Sequence, residues 1–449
     1  MFKKILIANR GEIAVRIIRA CRELGIQTVA VYAEGDESCL HVQLADESIC
    51  VGPAESKESY LNENNILSAT ILTGAEAIHP GFGFLSENSR FAKMCEECGI
   101  KFIGPSSDNI KKMGNKSRAK ELMKLAGVPI VNGSKGIISS EDEALKVAKD
   151  VGYPVMIKAT NGGGGKGIRI VNGETNLIEN YYAAKKEAMN CFKDDALYIE
   201  KFIENPRHIE IQIMADEYNN VVYLGERECS VQRKNQKILE EAPSVIVTEE
   251  LRKRMGEVAV KAAKAINYKG AGTIEFLVDK NLDFYFMEMN TRIQVEHPVT
   301  EMITGMDLVK EQIKVASGEK LSFTQEEIKI KGHSIECRIN AEDPRKNFMP
   351  CPGVISSLYV PGGNGIRLDS AAYSGYKIPH NYDSMIGKLI VHGKDRDEAI
   401  NKMKRALGEF IIEGISTNIE FHIKVLCNNK FISGDYTTNF IKDNFSDLI

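Results

Sequence analysis

The first hundred residues alternate between short apolar runs and stretches with helical spacing. Residues 3–8 form an apolar run without polar alternation, which is typical of a buried parallel strand. Apolar positions then recur at helical spacing over residues 13–24, Gly25 ends the helix, and residues 28–32 form a second apolar run. Because similar units follow, the pattern predicts an open α/β domain that ends near residue 114.

A turn rich in proline and glycine follows the apolar residues 77–78 of this domain. His79 and Phe82 lie in the turn, at the expected carboxyl end of a strand, where open α/β sheets usually bind ligands. A rigid turn with a packed aromatic ring accounts for the same residues, and without further support it is the simpler interpretation.

Four consecutive glycines, Gly162–Gly165, separate predicted strands at residues 153–159 and 168–171. The segment differs from a P-loop because Gly167 replaces the Ser or Thr and a strand, rather than a helix, follows. Glycines expose backbone N–H groups and allow close approach to a phosphate. With Lys158 and Lys166 on either side, we interpret the segment as a mobile phosphate-binding lid; a merely flexible loop is the alternative.

The other elements are less distinctive. A dense polar run over residues 226–237 has, taken alone, the composition of a solvated loop. The region after about residue 330 is β-rich. Helices are predicted at 116–126, from 244 to about 265 and at 396–410, and strands at 196–203 and 208–212.

Residues 283–297 alternate with a period of two, after a predicted strand at 272–279 and a turn at 279–283. If the segment stays extended, one face carries an ordered series of polar side chains: Glu288, Asn290, Arg292, Gln294 and Glu296. A solvated edge strand would also alternate, but it would more naturally carry flexible lysines and glutamates.

The pairing of this hairpin predicts a metal site. With the turn centred between Asn281 and Leu282, Glu275 lies opposite Glu288, and two facing carboxylates repel by roughly 0.2–1 kcal/mol. A bound cation would convert the repulsion into a ligand set, because Glu275, Glu288 and Asn290 offer the oxygen atoms that Mg²⁺ prefers. Two solvated glutamates are the alternative, and a register slip of one residue would remove the argument.

Composition narrows the class of protein. A chain of 449 residues predicts two to four domains, and a net charge of −4 with dispersed Lys and Arg gives no support for nucleic-acid binding. No apolar run approaches a membrane span and no signal-peptide pattern is present. The ten cysteines are scattered, so we expect reduced thiols and a cytoplasmic location.

Several stretches together resemble the ATP-grasp superfamily and, within it, the biotin carboxylase family. They are Lys-Ala-Thr-Asn-Gly-Gly-Gly-Gly-Lys-Gly, Glu-Lys-Phe-Ile, Gln-Arg-Lys-Asn-Gln-Lys, Glu-Met-Asn-Thr-Arg-Ile-Gln-Val-Glu-His-Pro, Glu-Cys-Arg-Ile-Asn-Ala-Glu-Asp-Pro and Tyr-Asp-Ser-Met-Ile-Gly-Lys-Leu. The resemblance covers nearly the whole chain. It implies an α/β fold, α+β in parts, with an N-terminal open α/β domain (1–114), a lid domain with a glycine hairpin (115–203), an ATP-grasp body (204–330) and a mixed α/β C-terminal domain (331–449).

The resemblance also implies a function for named residues of this chain. ATP would contact Lys116, Lys158, Gly164, Gly165, Glu200, Lys201, Phe202, Ile203, His208, Gln232 and Asn235. Mg²⁺ or Mn²⁺ would bind Glu275, Glu288 and Asn290; bicarbonate would bind Lys237, Arg292, Gln294 and Val295. Glu296 would be the base, and Arg338 and Phe82 would meet biotin, with Lys237, Arg292, Glu296 and Arg338 as the catalytic set.

The implied reaction is ATP- and bicarbonate-dependent carboxylation of biotin through carboxyphosphate. It would be the first half-reaction of an acyl-CoA carboxylase, with acetyl-CoA as the first candidate for the acyl-CoA acceptor. Alternatives are a biotin carboxylase subunit of a split pyruvate carboxylase, another ATP-grasp ligase, or a nucleotide-binding regulatory protein without catalysis. Asn235 and Phe82 depart from the family pattern, which has histidine and tyrosine there.

The resemblance implies partners too. The biotinyl motif Met-Lys-Met is absent, since Met403-Lys404 is followed by Arg405, so we expect biotin on a separate biotin carboxyl carrier protein and separate carboxyltransferase subunits. A homodimer is also implied, with Arg19, Glu23 and Arg367 at positions that lie in the family's interface.

Overall fold

A computed structural model describes residues 1–134, 136–160 and 167–449. The predicted lid glycines Gly164 and Gly165, and the neighbouring Lys166, lie outside the described residues. Within the described part, no helix has both the length and the apolar character needed to cross a bilayer. All ten cysteines are described and are free thiols, as their scattered positions predicted.

The N-terminal unit is an open sheet of parallel strands in the order β3-β2-β1-β4-β5. Its strands are β1 (Lys4–Ile7), β2 (Gln27–Tyr32), β3 (Glu47–Cys50), β4 (Ala77–His79) and β5 (Lys101–Phe102). Its helices are α1 (Gly11–Glu23), α2 (Leu40–Leu44), α3 (Glu63–Thr73), α4 (Ser89–Glu97) and α5 (Ser107–Gly114). Ile5, Leu6 and Ile7 are fully buried, as expected for a strand covered on both faces.

The next unit is smaller and carries the two strands that flank the glycine segment. It contains α6 (Lys116–Leu125), α7 (Glu141–Val151), β6 (Val155–Ala159), β7 (Ile168–Val171), α8 (Leu177–Phe192) and β8 (Leu197–Lys201). The three strands form an antiparallel sheet in the order β7-β6-β8. The buried side chains of α7 and α8 pack against one face of this sheet.

The body begins with β9 (Arg207–Ala215), β10 (Val221–Arg233), β11 (Gln236–Ala242), α9 (Glu249–Ala265), β12 (Gly270–Val278), β13 (Phe284–Asn290), α10 (His297–Thr304) and α11 (Leu308–Ala316). The chain continues with β14 (His333–Asn340), β15 (Glu342–Asp343), β16 (Met349–Pro350), β17 (Gly353–Val354), β18 (Ser357–Tyr359), β19 (Ile366–Ser370), β20 (Lys377–Ile378), β21 (Met385–Gly393), α12 (Arg396–Glu409), β22 (Ile411–Glu413), α13 (Ile419–Cys427), α14 (Asn429–Ser433), α15 (Phe440–Asp443) and α16 (Phe445–Leu448). Short 3₁₀ turns lie at Ser56–Glu58, Glu174–Asn176, Gln325–Glu327 and Pro344–Lys346.

One antiparallel sheet joins the body to the C-terminal region. Its strand order is β13-β12-β9-β10-β11-β14-β21-β19, so β11 pairs with β14 across the proposed boundary near residue 330. The four-part division of the chain stays a proposal, and in space its last two parts share this sheet.

The polar run at 226–237 is not a solvated loop; that interpretation is wrong. The run forms the end of β10 and the start of β11, and Arg227, Glu228 and Ser230 are all buried. These side chains are tolerated inside the protein because each has a partner: Arg227 bonds to Glu210 and Gln212, for example. The predicted helix from residue 244 also begins later, at Glu249, where Thr248 caps it by accepting from the N–H of Leu251 at 3.2 Å.

The hairpin places Glu275 opposite Glu288, as predicted, but the turn centre and the strand register differ from those expected. Near the turn, Val278 pairs with Phe284, which centres the turn on Asn281 rather than beyond it. A bulge between Glu275 and Phe276 then shifts the register by one residue and restores the predicted pair. The polar face does not stay extended to residue 297: β13 ends at Asn290, and α10 begins at His297.

Candidate active site

Lys237, on β11, lies at the centre of a group of buried carboxylates. Its Nζ donates to Glu210 Oε2 at 2.6 Å, to Glu275 Oε1 at 2.8 Å and to Glu296 Oε1 at 2.6 Å. Glu210 comes from β9, Glu275 from β12, and Glu296 from the turn before α10. One ammonium group therefore ties three parts of the body together.

Glu275 is the second centre of the network. Besides Lys237, its Oε1 accepts from Asn290 Nδ2 at 2.8 Å and from Gln294 Nε2 at 3.0 Å. Its Oε2 lies 2.8 Å from His208 Nε2. Two of these partners, Asn290 and Gln294, belong to the alternating series of the sequence, which the structure does bring together although the strand ends at Asn290.

Arg292 is held at the edge of this network by three contacts to other side chains. Its guanidinium donates to Asn290 Oδ1 at 3.1 Å and to Gln294 Oε1 at 2.9 Å. A third bond reaches Glu87 Oε2 at 2.9 Å, on the N-terminal unit. The guanidinium thus spans from the hairpin to the N-terminal unit.

Arg338, on β14, approaches the same site from the C-terminal region. Its Nε donates to Glu240 Oε1 at 2.7 Å and its Nη2 to Glu296 Oε2 at 2.9 Å. Glu296 is fully buried and is held between Lys237 on one oxygen and Arg338 on the other. Two cations therefore flank one carboxylate where β11, β14 and the start of α10 meet.

The charges around Glu296 fix its protonation state. Burial alone would raise the pKa of Glu296, but Lys237, Arg338 and Arg227 hold it well below its ordinary value. Burial raises the pKa of the neighbouring Glu240 to about 7, because Arg338 offsets only part of the desolvation. Glu296 is thus an unprotonated carboxylate at neutral pH, able to accept a proton.

The residues predicted to hold Mg²⁺ fit that ion by their chemistry. Glu275, Glu288 and Asn290 are brought side by side on the β12–β13 ladder and offer only oxygen ligands. Glu275 is already in contact with Lys237 and His208, whereas Glu288 is partly exposed, with Lys116 Nζ 3.6 Å away. A second group of donor atoms, from His208, Glu210 and Glu275, lies within 4.8 Å, and Lys237 supplies the positive charge there.

A second group of lysines lies beside the predicted nucleotide site. Lys158 and Lys120 both bond to the carboxylate of Glu200, whose pKa burial would raise but the two lysines hold below its ordinary value. The side chain of Lys201 points elsewhere: its Nζ donates to the carbonyls of Gly152 at 3.0 Å and Tyr153 at 2.8 Å. The N–H of Phe202 donates to Pro154 O at 3.1 Å, and Ile203 follows half-buried.

Comparison with known proteins identifies the family. The profile "Biotin carboxylase, N-terminal domain" matches residues 1–110, "Carbamoyl-phosphate synthase L chain, ATP binding domain" matches 115–324, and "Biotin carboxylase C-terminal domain" matches 336–443. Biotin carboxylase 1 of Bacillus subtilis is 61% identical over 443 residues, which are 98% of both chains. The chain belongs to the biotin carboxylase family.

Two further relatives bear on function. A pyruvate carboxylase subunit from Methanothermobacter thermautotrophicus is 56% identical over 99% of this chain and 90% of its own. The biotin carboxylase domain of Hydrogenobacter thermophilus 2-oxoglutarate carboxylase, solved as a dimer with MgADP, ADP and bicarbonate, matches with a TM-score of 0.94 and 52% identity, over 100% of this chain and 99% of the other. The expected ATP-grasp fold and the expected activity, an ATP-dependent ligase that carboxylates biotin, are confirmed, as are ATP, Mg²⁺ and biotin as its cofactors and substrate.

The two departures from the family pattern, Asn235 and Phe82, have different local surroundings. Asn235 is exposed in the two-residue turn between β10 and β11, where Lys234 has φ +50° and Asn235 φ +65°. Such a turn requires positive φ at both positions, and asparagine tolerates it better than most residues. Phe82 packs against an apolar cluster shared by the N-terminal unit and the body, and its carbonyl accepts from Asn9 Nδ2 at 2.7 Å; the absence of a hydroxyl has no structural explanation.

Sequence reasoning missed several residues that the structure brings into contact with the predicted site residues. Glu210 and Gln212 share the parity of His208 on β9, so the alternation at 208–212 was a signal for Glu210. The same strand pairs Gln212 with Thr273 and Glu210 with Glu275 on β12. Glu240, Lys120 and Glu87 gave no signal, because each meets its partner only through the tertiary fold.

His208 and Gln232, both of which the resemblance assigns to the nucleotide site, are in contact with each other. Gln232 Nε2 lies 2.6 Å from His208 Nδ1, while Nε2 of the histidine faces Glu275. The backbone carbonyl of Val295 accepts from Lys388 Nζ at 2.8 Å.

Proposed function

We propose that this chain carboxylates biotin borne on a separate carrier protein, and that the residues around Glu296 perform the chemistry. The observation that carries the assignment is the geometry of Glu296, a buried, unprotonated carboxylate held between Lys237 at 2.6 Å and Arg338 at 2.9 Å. Two cations beside one base suit the binding of a small anion that must lose a proton.

The first step activates bicarbonate. Bicarbonate would bind at Lys237, Arg292, Gln294 and the backbone of Val295, and Glu296 would take its proton. When the anion draws Lys237 and Arg338 toward itself, Glu296 loses the two partners that depress its pKa and becomes a stronger base. The oxygen of bicarbonate then attacks the γ-phosphorus of ATP, which gives carboxyphosphate and ADP.

The nucleotide would lie between the lid unit and the body. Lys116 and Lys158 would contact its phosphates, as would Gly164 and Gly165, while Glu200 to Ile203, His208, Gln232 and Asn235 would border its adenosine. Lys120 joins this set in our proposal, because it shares Glu200 with Lys158. Mg²⁺ held by Glu275, Glu288 and Asn290 would neutralise charge on the transferring phosphoryl group.

The second step transfers the carboxyl group. Carboxyphosphate breaks down to CO₂ and phosphate, and the phosphate takes the proton of the ureido nitrogen of biotin. Arg338 stabilises the resulting enolate oxygen, since a guanidinium stays charged and offers two parallel donors. Phe82 would form an apolar wall for the biotin ring. The enolate nitrogen then attacks CO₂ to give carboxybiotin.

The acceptor of the parent complex is proposed to be an acyl-CoA, with acetyl-CoA as the first candidate. The 56% identity to a subunit of a pyruvate carboxylase supports a 2-oxo acid as the second candidate. Both alternatives need a carrier protein, and we expect separate carboxyltransferase subunits and a cytoplasmic location. Affinity purification followed by detection of biotin on the co-purified protein and its identification would decide between the acceptors.

A homodimer is part of the proposal. The relative solved with MgADP is described as a dimer. Arg19 and Glu23 are exposed on α1, while Arg367 is already bonded within its own chain to Glu301 at 2.7 Å and to Asp369 at 2.7 Å. Among the described contacts, the guanidinium of Arg19 has no partner within its own chain. Of these three residues, Arg19 is therefore the arginine available to contact a second copy.

One assay tests the reaction. Phosphate release from ATP should depend on bicarbonate and should rise with free biotin, with carboxybiotin as product. A regulatory protein would bind ATP without this turnover, and another ATP-grasp ligase would cleave ATP only with a different acceptor. A rate of phosphate release that depends on neither bicarbonate nor biotin would contradict the proposal.

A further inference from the structure

Lys388 belongs to the stretch Tyr-Asp-Ser-Met-Ile-Gly-Lys-Leu, to which the reaction so far assigns no role. It lies on β21 and is fully buried. In the antiparallel ladders it stands opposite Arg338 of β14 on one side and opposite Asp369 of β19 on the other. Directly opposed residues share a face of the sheet, so Lys388 and Arg338 lie side by side beneath α10.

The ammonium group of Lys388 joins three parts of the chain. Its Nζ donates to the carbonyl of Val295 at 2.8 Å and lies 2.9 Å from Glu12 Oε1, on α1 of the N-terminal unit. Asp369 Oδ2 is 4.0 Å away, and the ring centre of Phe82 is 5.8 Å away. Its one hydrogen bond to the backbone thus falls on the residue immediately before Glu296.

A buried lysine beside a buried arginine requires compensating charge. Burial alone would lower the pKa of Lys388, but Glu12, Glu336 and Asp369 together raise it above its ordinary value. Lys388 therefore stays protonated. Since a well-packed apolar residue often serves stability as well as a buried ion pair, the charge points to a role other than packing.

We infer that Lys388 is a positioning residue that fixes the peptide between Val295 and Glu296 and so sets the bicarbonate-binding turn. The carbonyl of Val295 and the N–H of Glu296 belong to one planar peptide. Holding the oxygen at 2.8 Å fixes the orientation of that plane, and with it the point from which the Glu296 side chain reaches Lys237 and Arg338. This inference rests on the proposed role of Val295 and Glu296 in binding and deprotonating bicarbonate.

The decisive variant is the pair Glu12→Gln/Lys388→Met, which removes the cation and its nearest carboxylate together and so leaves no unpaired charge from that pair. We expect the KM for bicarbonate in ATP cleavage to rise about tenfold or more, since a bond from a charged donor is lost at the turn. The KM for ATP should stay within about twofold. A merely structural role would lower the melting temperature and the yield of folded protein without separating the two KM values.

Glu12→Gln alone tests the same inference in a variant that keeps the bond between Lys388 and Val295. Its bicarbonate KM should match the wild-type value within about twofold. A tenfold rise would overturn the inference, because the change in KM would then depend on the charge of Glu12 and not on the bond between Lys388 and Val295. Lys394→Met, at a lysine that is 79% exposed just beyond β21, is the matched control.

The outcomes separate this inference from the proposed function. Wild-type protein without bicarbonate-dependent ATP cleavage would count against the proposed function itself. Wild-type activity combined with an unchanged bicarbonate KM in the folded double variant would overturn the role of Lys388 alone.

Discussion

Glu296 and Arg338 act on different steps in the proposed reaction, so their removal should leave different residual activities. Glu296 works on bicarbonate before biotin is involved, whereas Arg338 works on the enolate afterwards. Glu296→Gln should therefore lower ATP cleavage and carboxybiotin formation together. Arg338→Gln should lower carboxybiotin formation more strongly, and the remaining ATP cleavage should be poorly coupled to product.

The structure sets the expected magnitudes for Glu296→Gln. In this variant Lys237 keeps two carboxylates and Arg338 keeps Glu240, so no buried cation is left unpaired. The variant should therefore still fold. Loss of the base should cost about 10²–10³ in rate, which corresponds to about 2.7–4 kcal/mol of barrier.

Arg338→Gln differs because it removes the main partner of Glu240. The pKa of that buried carboxyl is already about 7, so Glu240 should take up a proton in the variant. Phosphate release and carboxybiotin should be measured on the same samples, with free biotin and saturating bicarbonate. Arg345→Gln and Glu420→Gln, which break an exposed ion pair of 2.7 Å, are the matched controls. If both active-site variants lose the two activities in equal proportion, this division of labour is refuted.

Three other predictions follow from the proposed function and the charge distribution. Glu288→Gln should weaken Mg²⁺-dependent turnover severely in a folded protein, and an unchanged Mg²⁺ titration would exclude Glu288 as a ligand. Light scattering at micromolar concentration should give a dimer that Arg19→Glu weakens; a wild-type monomer would contradict this. Burial lowers the pKa of His41 and His422 to about 4 and of His79 to about 3, below the ordinary 6.5. Their stabilising effect is complete above pH 6.5 and is lost as the pH falls toward 4, by about 3 kcal/mol for each histidine. The melting temperature should therefore fall steadily below pH 6.5, and a flat profile from pH 7.5 to 5 would refute the linkage.

The hairpin shows how much of a strand pairing can be predicted from alternation in the sequence. Its pattern predicted that Glu275 faces Glu288, and this pair is present. The turn centre behind that prediction was off by one residue, and a bulge at Phe276 compensates for the difference. A bulge has no side-chain signature in this stretch, so the sequence could not distinguish the two paths to the same pair.

The polar run at 226–237 shows why the rest was not predictable. Its residues are polar enough for solvent, and their burial depends on partners supplied by distant segments, such as Glu210 and Thr300 for Arg227. Such complementarity appears only when β9, β10 and α10 are assembled. Local pattern predicts elements, but it does not reveal which buried charges will meet.

The charged residues near the site also help to specify how the strands pair. Glu240 of β11 lies opposite Glu336 of β14, and Arg338 lies opposite Lys388 of β21. Side chains alternate along a strand, so a slip of β14 by one residue would move Glu336 and Arg338 to the other face of the sheet. Arg338 would then lose both Glu240 and Glu296, and leaving a buried charge unpaired costs about 3–5 kcal/mol. The same ion pairs that hold Glu296 between two cations thus penalise the alternative registers, and the chemistry of the site and the register of the sheet depend on one set of contacts.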